Sequence, residues 1–150
     1  MNRAELNALG AAVMAALFIL GLWCWYLGVL PTFNRLDSLR TVVLAGAFYP
    51  ICEEIIFRGL IQQELLKLKI FSKNRLPFNV TSLTLANVIT SIVFAFMHVL
   101  YFQSVGAFVV VIPSLIFGGC FEVRKKLLLP ILVHGIYNLL GLLAPAFYSA

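Results

Sequence analysis

Two adjacent carboxylates and a guanidinium, Glu53, Glu54 and Arg58, stand in an otherwise apolar stretch running from Phe48 to Leu60. The chain has two histidines, His98 and His134, and both lie in equally apolar surroundings. Near the middle of a bilayer an ionisable side chain costs roughly 2.5 kcal/mol or more, so such groups face partners or a water-filled cavity and mark functional sites. The chemistry open to this set is limited. A carboxylate removed from bulk water can act as a general base and draw a proton from a bound water. An imidazole can position that water or shuttle its proton, which suits His98. A second imidazole with a carboxamide can donate hydrogen bonds to the oxyanion of a tetrahedral intermediate, which suits His134 and Asn138. Water, base and oxyanion donors together make an amide hydrolase.

Helical spacing organises these residues. Glu54 and Arg58 are four apart, share a face and can form an intrahelical ion pair. Glu53 is turned about 100° from Glu54 and stays outside that pair, which makes it the candidate base. Phe94 and His98 repeat the spacing of four, and Thr84, Asn87, Ser91, Phe94 and His98 form one mostly polar stripe with a three-four period. His134 and Asn138 are again four apart, with Gly135 and Gly141 allowing close packing.

The elements that carry them belong in a membrane. Of 150 residues 62% are hydrophobic and 11% charged, against about 25% charged in soluble domains. The composition predicts an all-α integral membrane protein with about five transmembrane helices in one domain over residues 1–150. The first run, 8–30, exceeds the ~20 residues that cross a bilayer core and ends at Pro31. Trp23, Trp25 and Tyr26 follow its apolar part where a cleaved signal peptide would need small residues, and they suit an interfacial belt. The second helix, 39–69, is about 45 Å long and so must tilt, kink or emerge from the bilayer. Pro50 supplies a kink, because it cannot donate to the carbonyl of Gly46. Further spans are expected at 82–101, 107–121 and 128–147. Ala11 with Ala15, Ala12 with Ala16, and Ser114 with Gly118 have the spacing that lets membrane helices approach closely.

Charge sets the orientation. The net charge is +5, and of eleven basic residues Lys67, Lys69, Lys73, Arg75, Arg124, Lys125 and Lys126 fall in the loops after helices two and four. An alternating path puts both loops on one side, which the positive-inside rule makes cytoplasmic together with the N-terminus. The basic residues thus mark topology in a multi-pass protein rather than a nucleic-acid surface. Cys24, Cys52 and Cys120 form no C-x-x-C pair, so neither a disulfide framework nor structural zinc is indicated. Counting along ideal helices places Glu53 and Asn138 near mid-membrane, His98 toward the outer end and His134 nearer the inner end. Convergence on one water therefore requires tilted or displaced helices, or ends shifted by a turn.

The ordered motifs resemble the CPBP intramembrane proteases, which include the CAAX prenyl endopeptidases and the bacterial Abi or bacteriocin-immunity proteins. Glu53, Glu54 and Arg58 match E-E-x-x-x-R, Phe94 and His98 match F-x-x-x-H, and His134 and Asn138 match H-x-x-x-N. The resemblance covers about 45–142, with an extra span at 8–30. It implies a glutamate-type protease in which Glu53, first of the pair, activates water and His98 assists. His134 and Asn138 would bind the oxyanion, and Glu54, Arg58 and Phe94 would support them. The preference for Glu53 over Glu54 leans on this resemblance. It implies no metal or cofactor, a membrane-anchored or exported peptide substrate, and a prokaryotic inner membrane. Many relatives carry more helices before the first motif.

Three alternatives compete. Two histidines and a glutamate could ligate zinc, although no H-E-x-x-H is present and Asn138 would go unexplained. A non-catalytic immunity or binding protein would use the polar core for docking. A proton or cation pathway would need more interior charge than this chain carries.

Overall fold

The computed structural model describes residues 3, 6–7, 10–15, 17–18, 38–73 and 83–143. Among these the fold is helical throughout, that of an all-α membrane protein. The expected first span is helical where described, at 10–15 and 17–18, and its remainder lies outside the described residues.

Helical turns then run unbroken from Leu39 to Lys67. They comprise α1 (Leu39–Val43), a π-helical stretch Leu44–Phe48, α2 (Tyr49–Glu54), a second π-helical stretch Ile55–Gln62 and α3 (Gln63–Lys67). The disturbance expected at Pro50 takes the form of wider turns. Tyr49 N–H reaches back five residues to the Leu44 carbonyl, and Gln63 N–H reaches the Arg58 carbonyl in the same way. Such wide turns are rare and concentrate at functional sites. The helix stops at Lys67, two residues before the expected end, because Leu68 is extended (φ −82°, ψ 121°). A separate short helix, α4 (Lys69–Lys73), follows.

The third helix, α5 (Leu85–Phe102), starts three residues later than expected. Thr84 Oγ1 accepts from Asn87 N–H at 3.2 Å and caps its first turn. Gln103 ends it in the left-handed region (φ 51°), and a 3₁₀ stretch Val105–Val110 leads into α6 (Val111–Arg124). Lys125, also left-handed (φ 55°), closes α6 with its N–H on the Phe121 carbonyl. The last helix, α7 (Leu128–Leu143), carries Pro130 in its first turn, where a missing N–H costs nothing. Residues 144–147 of the expected fifth span lie outside the described residues. Leu85–Phe102 and Val105–Val123 are long and apolar enough to cross a membrane.

The described residues fall into two compact units, one of Cys52–Pro130 and one of Met1–Ile51 with Ile131–Ala150. In the first, α5 packs on α6, on the 3₁₀ stretch and on the π-helical Ile55–Gln62. Its interior sets polar and charged side chains among aromatic ones, and its outside is rich in exposed apolar side chains, unlike that of a soluble domain. Asn87, Thr90 and Ser91 of α5 are fully buried, whereas Ile92, Phe96, Met97 and Tyr101 on the same helix are exposed. Lipid replaces water as the solvent of the outer face, so hydrogen bonds and close packing must hold the inner one. Gly118 shows how close that packing is, since a Cβ there would lie 1.9 Å from Asn87 Oδ1. Asn87 Nδ2 in turn donates to the Leu115 carbonyl at 3.0 Å.

Candidate active site

The polar centre of the Cys52–Pro130 unit is built around Arg58, which has no exposed surface. Its Nε stands 3.2 Å from Glu54 Oε2, the intrahelical pair that the spacing predicts. Its Nη2 donates at 2.7 Å to both the carbonyl and the hydroxyl of Ser114 on α6. The guanidinium also lies between two rings, 5.1 Å from the centroid of Phe94 and 5.6 Å from that of Phe117. A buried guanidinium needs its charge compensated, which Glu54 does, and its planar fork lets Nη2 meet both Ser114 acceptors, while Nε and Nη1 make no hydrogen bond among the described residues. Glu54 is likewise fully buried.

One helical turn beyond Arg58, Gln62 continues the polar line. Its Nε2 donates to the Gly118 carbonyl at 3.2 Å and to Glu122 Oε1 at 2.9 Å, and Thr84 Oγ1 donates to the same carboxylate oxygen at 2.5 Å. Three helical segments thus meet at Glu122. Sequence reasoning missed Gln62, Glu122 and the role of Ser114. The spacing of four that joins Glu54 to Arg58 extends to Gln62, and the spacing of four from Ser114 to Gly118 extends to Glu122, so both signals were present.

Phe94 joins the first two motifs. Its ring lies 4.9 Å from Phe57, edge to face, and 4.3 Å from the His98 imidazole, and it is also one of the rings over Arg58. His98 is partly buried, with Nδ1 3.0 Å from the Phe94 carbonyl. A carbonyl only accepts, so in the neutral ring Nδ1 carries the hydrogen and Nε2 keeps its lone pair for water. His98 stands four residues before the end of α5, toward the end where it was expected. Glu53 is partly buried on the helix that carries Glu54.

His134 and Asn138 belong to the other unit. His134 is buried and stands six residues after the start of α7. Asn138 is partly buried and its Nδ2 donates to the Ala45 carbonyl at 3.0 Å. Gly135, between them, meets the backbone of the second helix, for a Cβ there would stand 2.3 Å from the Gly46 oxygen. Among the described residues no three His, Cys, Asp or Glu side chains gather as a metal site would require.

No curated protein and no solved structure matches the chain significantly. The family model described as Rce1-like, type II CAAX prenyl endopeptidase, matches residues 35–140, a segment that contains all three motifs. Spanning well over half of the chain, that match makes this protein a member of the Rce1-like CAAX protease family, a family of membrane hydrolases.

Proposed function

We propose that the protein is an intramembrane endopeptidase that hydrolyses a peptide bond in a membrane-anchored or exported substrate by glutamate-activated water. Glu53 takes a proton from the water, and the resulting hydroxide attacks the scissile carbonyl carbon. His98, through Nε2, orients that water and shares its proton. His134 and Asn138 donate hydrogen bonds to the carbonyl oxygen as it becomes an oxyanion. The C–N bond then breaks as the proton taken from water passes to the leaving amine. Glu54 and Arg58 compensate one another and leave the proton transfer to Glu53.

The observation that carries this reading is the fully buried Glu54–Arg58 pair, tied to Ser114 and linked through Phe94 to His98, inside the segment that the family match covers. Such a centre is costly to build in lipid and has a use when chemistry needs it. The family's description makes a prenylated C-terminal peptide the first substrate to try. The basic loops favour a cytoplasmic N-terminus in a multi-pass protein, and the resemblance to bacterial members favours a prokaryotic inner membrane.

The test compares membranes holding wild type or Glu53→Gln and asks by mass spectrometry which co-expressed lipidated or membrane peptides gain new termini. New termini that require Glu53 and persist with chelator are expected. Equal termini from both proteins, or termini lost on chelation, would overturn the mechanism.

A further inference from the structure

The backbone around Pro50 has a deficit that a side chain of the proposed oxyanion pair makes good. Tyr49 N–H is committed to the Leu44 carbonyl, five residues back. In that ladder the next donor, for the Ala45 carbonyl, is residue 50, and proline has no N–H to give. The donor four residues on from Ala45 is Tyr49 itself, already used. A buried carbonyl without a donor is costly, and more so where lipid excludes water. Asn138 Nδ2 lies 3.0 Å from the Ala45 oxygen. The next carbonyl, of Gly46, stands against Gly135, where a Cβ would come within 2.3 Å of the oxygen and only a glycine leaves room. The turn before the proline thus touches α7 at two residues three apart in the third motif, Gly135 by close approach and Asn138 by a hydrogen bond.

We propose that Asn138 is a positioning residue of the proline-broken turn, supplying Ala45 with the hydrogen that Pro50 withholds. The carboxamide has two hydrogens. One fixes the backbone turn that begins eight residues before Glu53, and the other stays available to an oxyanion, a second task that rests on the protease reading above. The third motif therefore serves the first through the backbone as well as through the substrate.

The experiment is a double-substitution cycle on the full chain in dodecyl maltoside micelles. Wild type, Asn138→Ala, Pro50→Ala and the double variant are unfolded with dodecyl sulfate and followed by circular dichroism. With Pro50 present, Asn138→Ala is expected to shift the folding equilibrium roughly 3- to 20-fold, the range of single hydrogen bonds between membrane helices. In the Pro50→Ala background the restored N–H serves the carbonyl, and the same substitution shifts it less than about twofold. Equal shifts in both backgrounds overturn the inference. Asn138→Leu keeps the volume without the donor and gives a check that does not depend on the Pro50→Ala variant folding. It is expected to lose as much as Asn138→Ala, and wild-type stability would overturn the inference. Cleavage of the substrate found above is read in parallel. A double variant that regains stability but not cleavage assigns Asn138 both tasks. Absence of cleavage even in wild type would remove the protease reading and leave the stability cycle to decide this one.

Discussion

Replacing Arg58 with methionine keeps much of the side chain's length and removes its charge, its contacts to Ser114 and its pairing with Glu54. Glu54 has no exposed surface, so its carboxylate would be left buried with its ion-pair partner gone. Breaking a buried pair from one side costs about 3–5 kcal/mol, a roughly 100- to 4,000-fold shift in the folding equilibrium. Arg58→Lys should fall between, since one ammonium cannot reproduce Nε on Glu54 and Nη2 on two Ser114 acceptors together. The informative protein is the double variant Glu54→Leu with Arg58→Met. Apolar replacement of a whole buried pair is often neutral or stabilising, so the second substitution should recover most of the loss even though activity stays low. Unfolding in mixed micelles measures all four proteins on one scale. Wild-type stability in Arg58→Met, or a double variant no more stable than it, would refute the electrostatic account of this centre.

Other expectations follow from the same geometry. Gly118→Ala should destabilise by about 1–3 kcal/mol, because its Cβ would overlap Asn87 Oδ1, and adding Asn87→Ala should return part of that loss in the same unfolding assay. His98→Ala and His134→Ala should each abolish cleavage while the proteins still insert and elute as monodisperse species on size exclusion. Wild-type activity should survive a chelator that strips zinc. Cys52→Ser, at an exposed position, should leave cleavage unchanged and stability within about 0.5 kcal/mol.

How much of this could be read from the chain depends on what signals a residue. Glu54 and Arg58 stand out because charge is rare in an apolar run, and a spacing of four predicts their pair; both survive in the structure. The stripe from Thr84 to Phe94 is buried as its period requires. The Ser114 contact was not legible, since serine is common in membrane helices and its partner lies 56 positions away. Gln62, near the end of its helix, invites misreading as an interfacial residue, and it is instead fully buried and hydrogen-bonded to Glu122. That error has a physical source: polarity near a helix end reads as solvent exposure unless a partner on another helix is known. The π turn at Leu44–Phe48 was invisible for a different reason, because it lies where Pro50 and its neighbours must share donors rather than where any residue's propensity marks it. Phe94, weak as a motif residue, gains its meaning only from standing between Arg58 and His98.

The two π-helical stretches on either side of Tyr49–Glu54 also bear on how this helix tolerates insertion and deletion. A π turn takes up about one residue more than an α turn, so each stretch holds a residue of slack. Deleting one residue within 44–48 would let the turn tighten to α without shortening the helix by a full step. The glutamate pair would then keep its register with Arg58 and Gln62 and nearly keep it with everything before the stretch, where the same deletion in a plain α-helix would turn it by about 100°. A single-residue deletion upstream would thereby leave Glu53 aimed as before, a tolerance that a helix without wide turns does not offer.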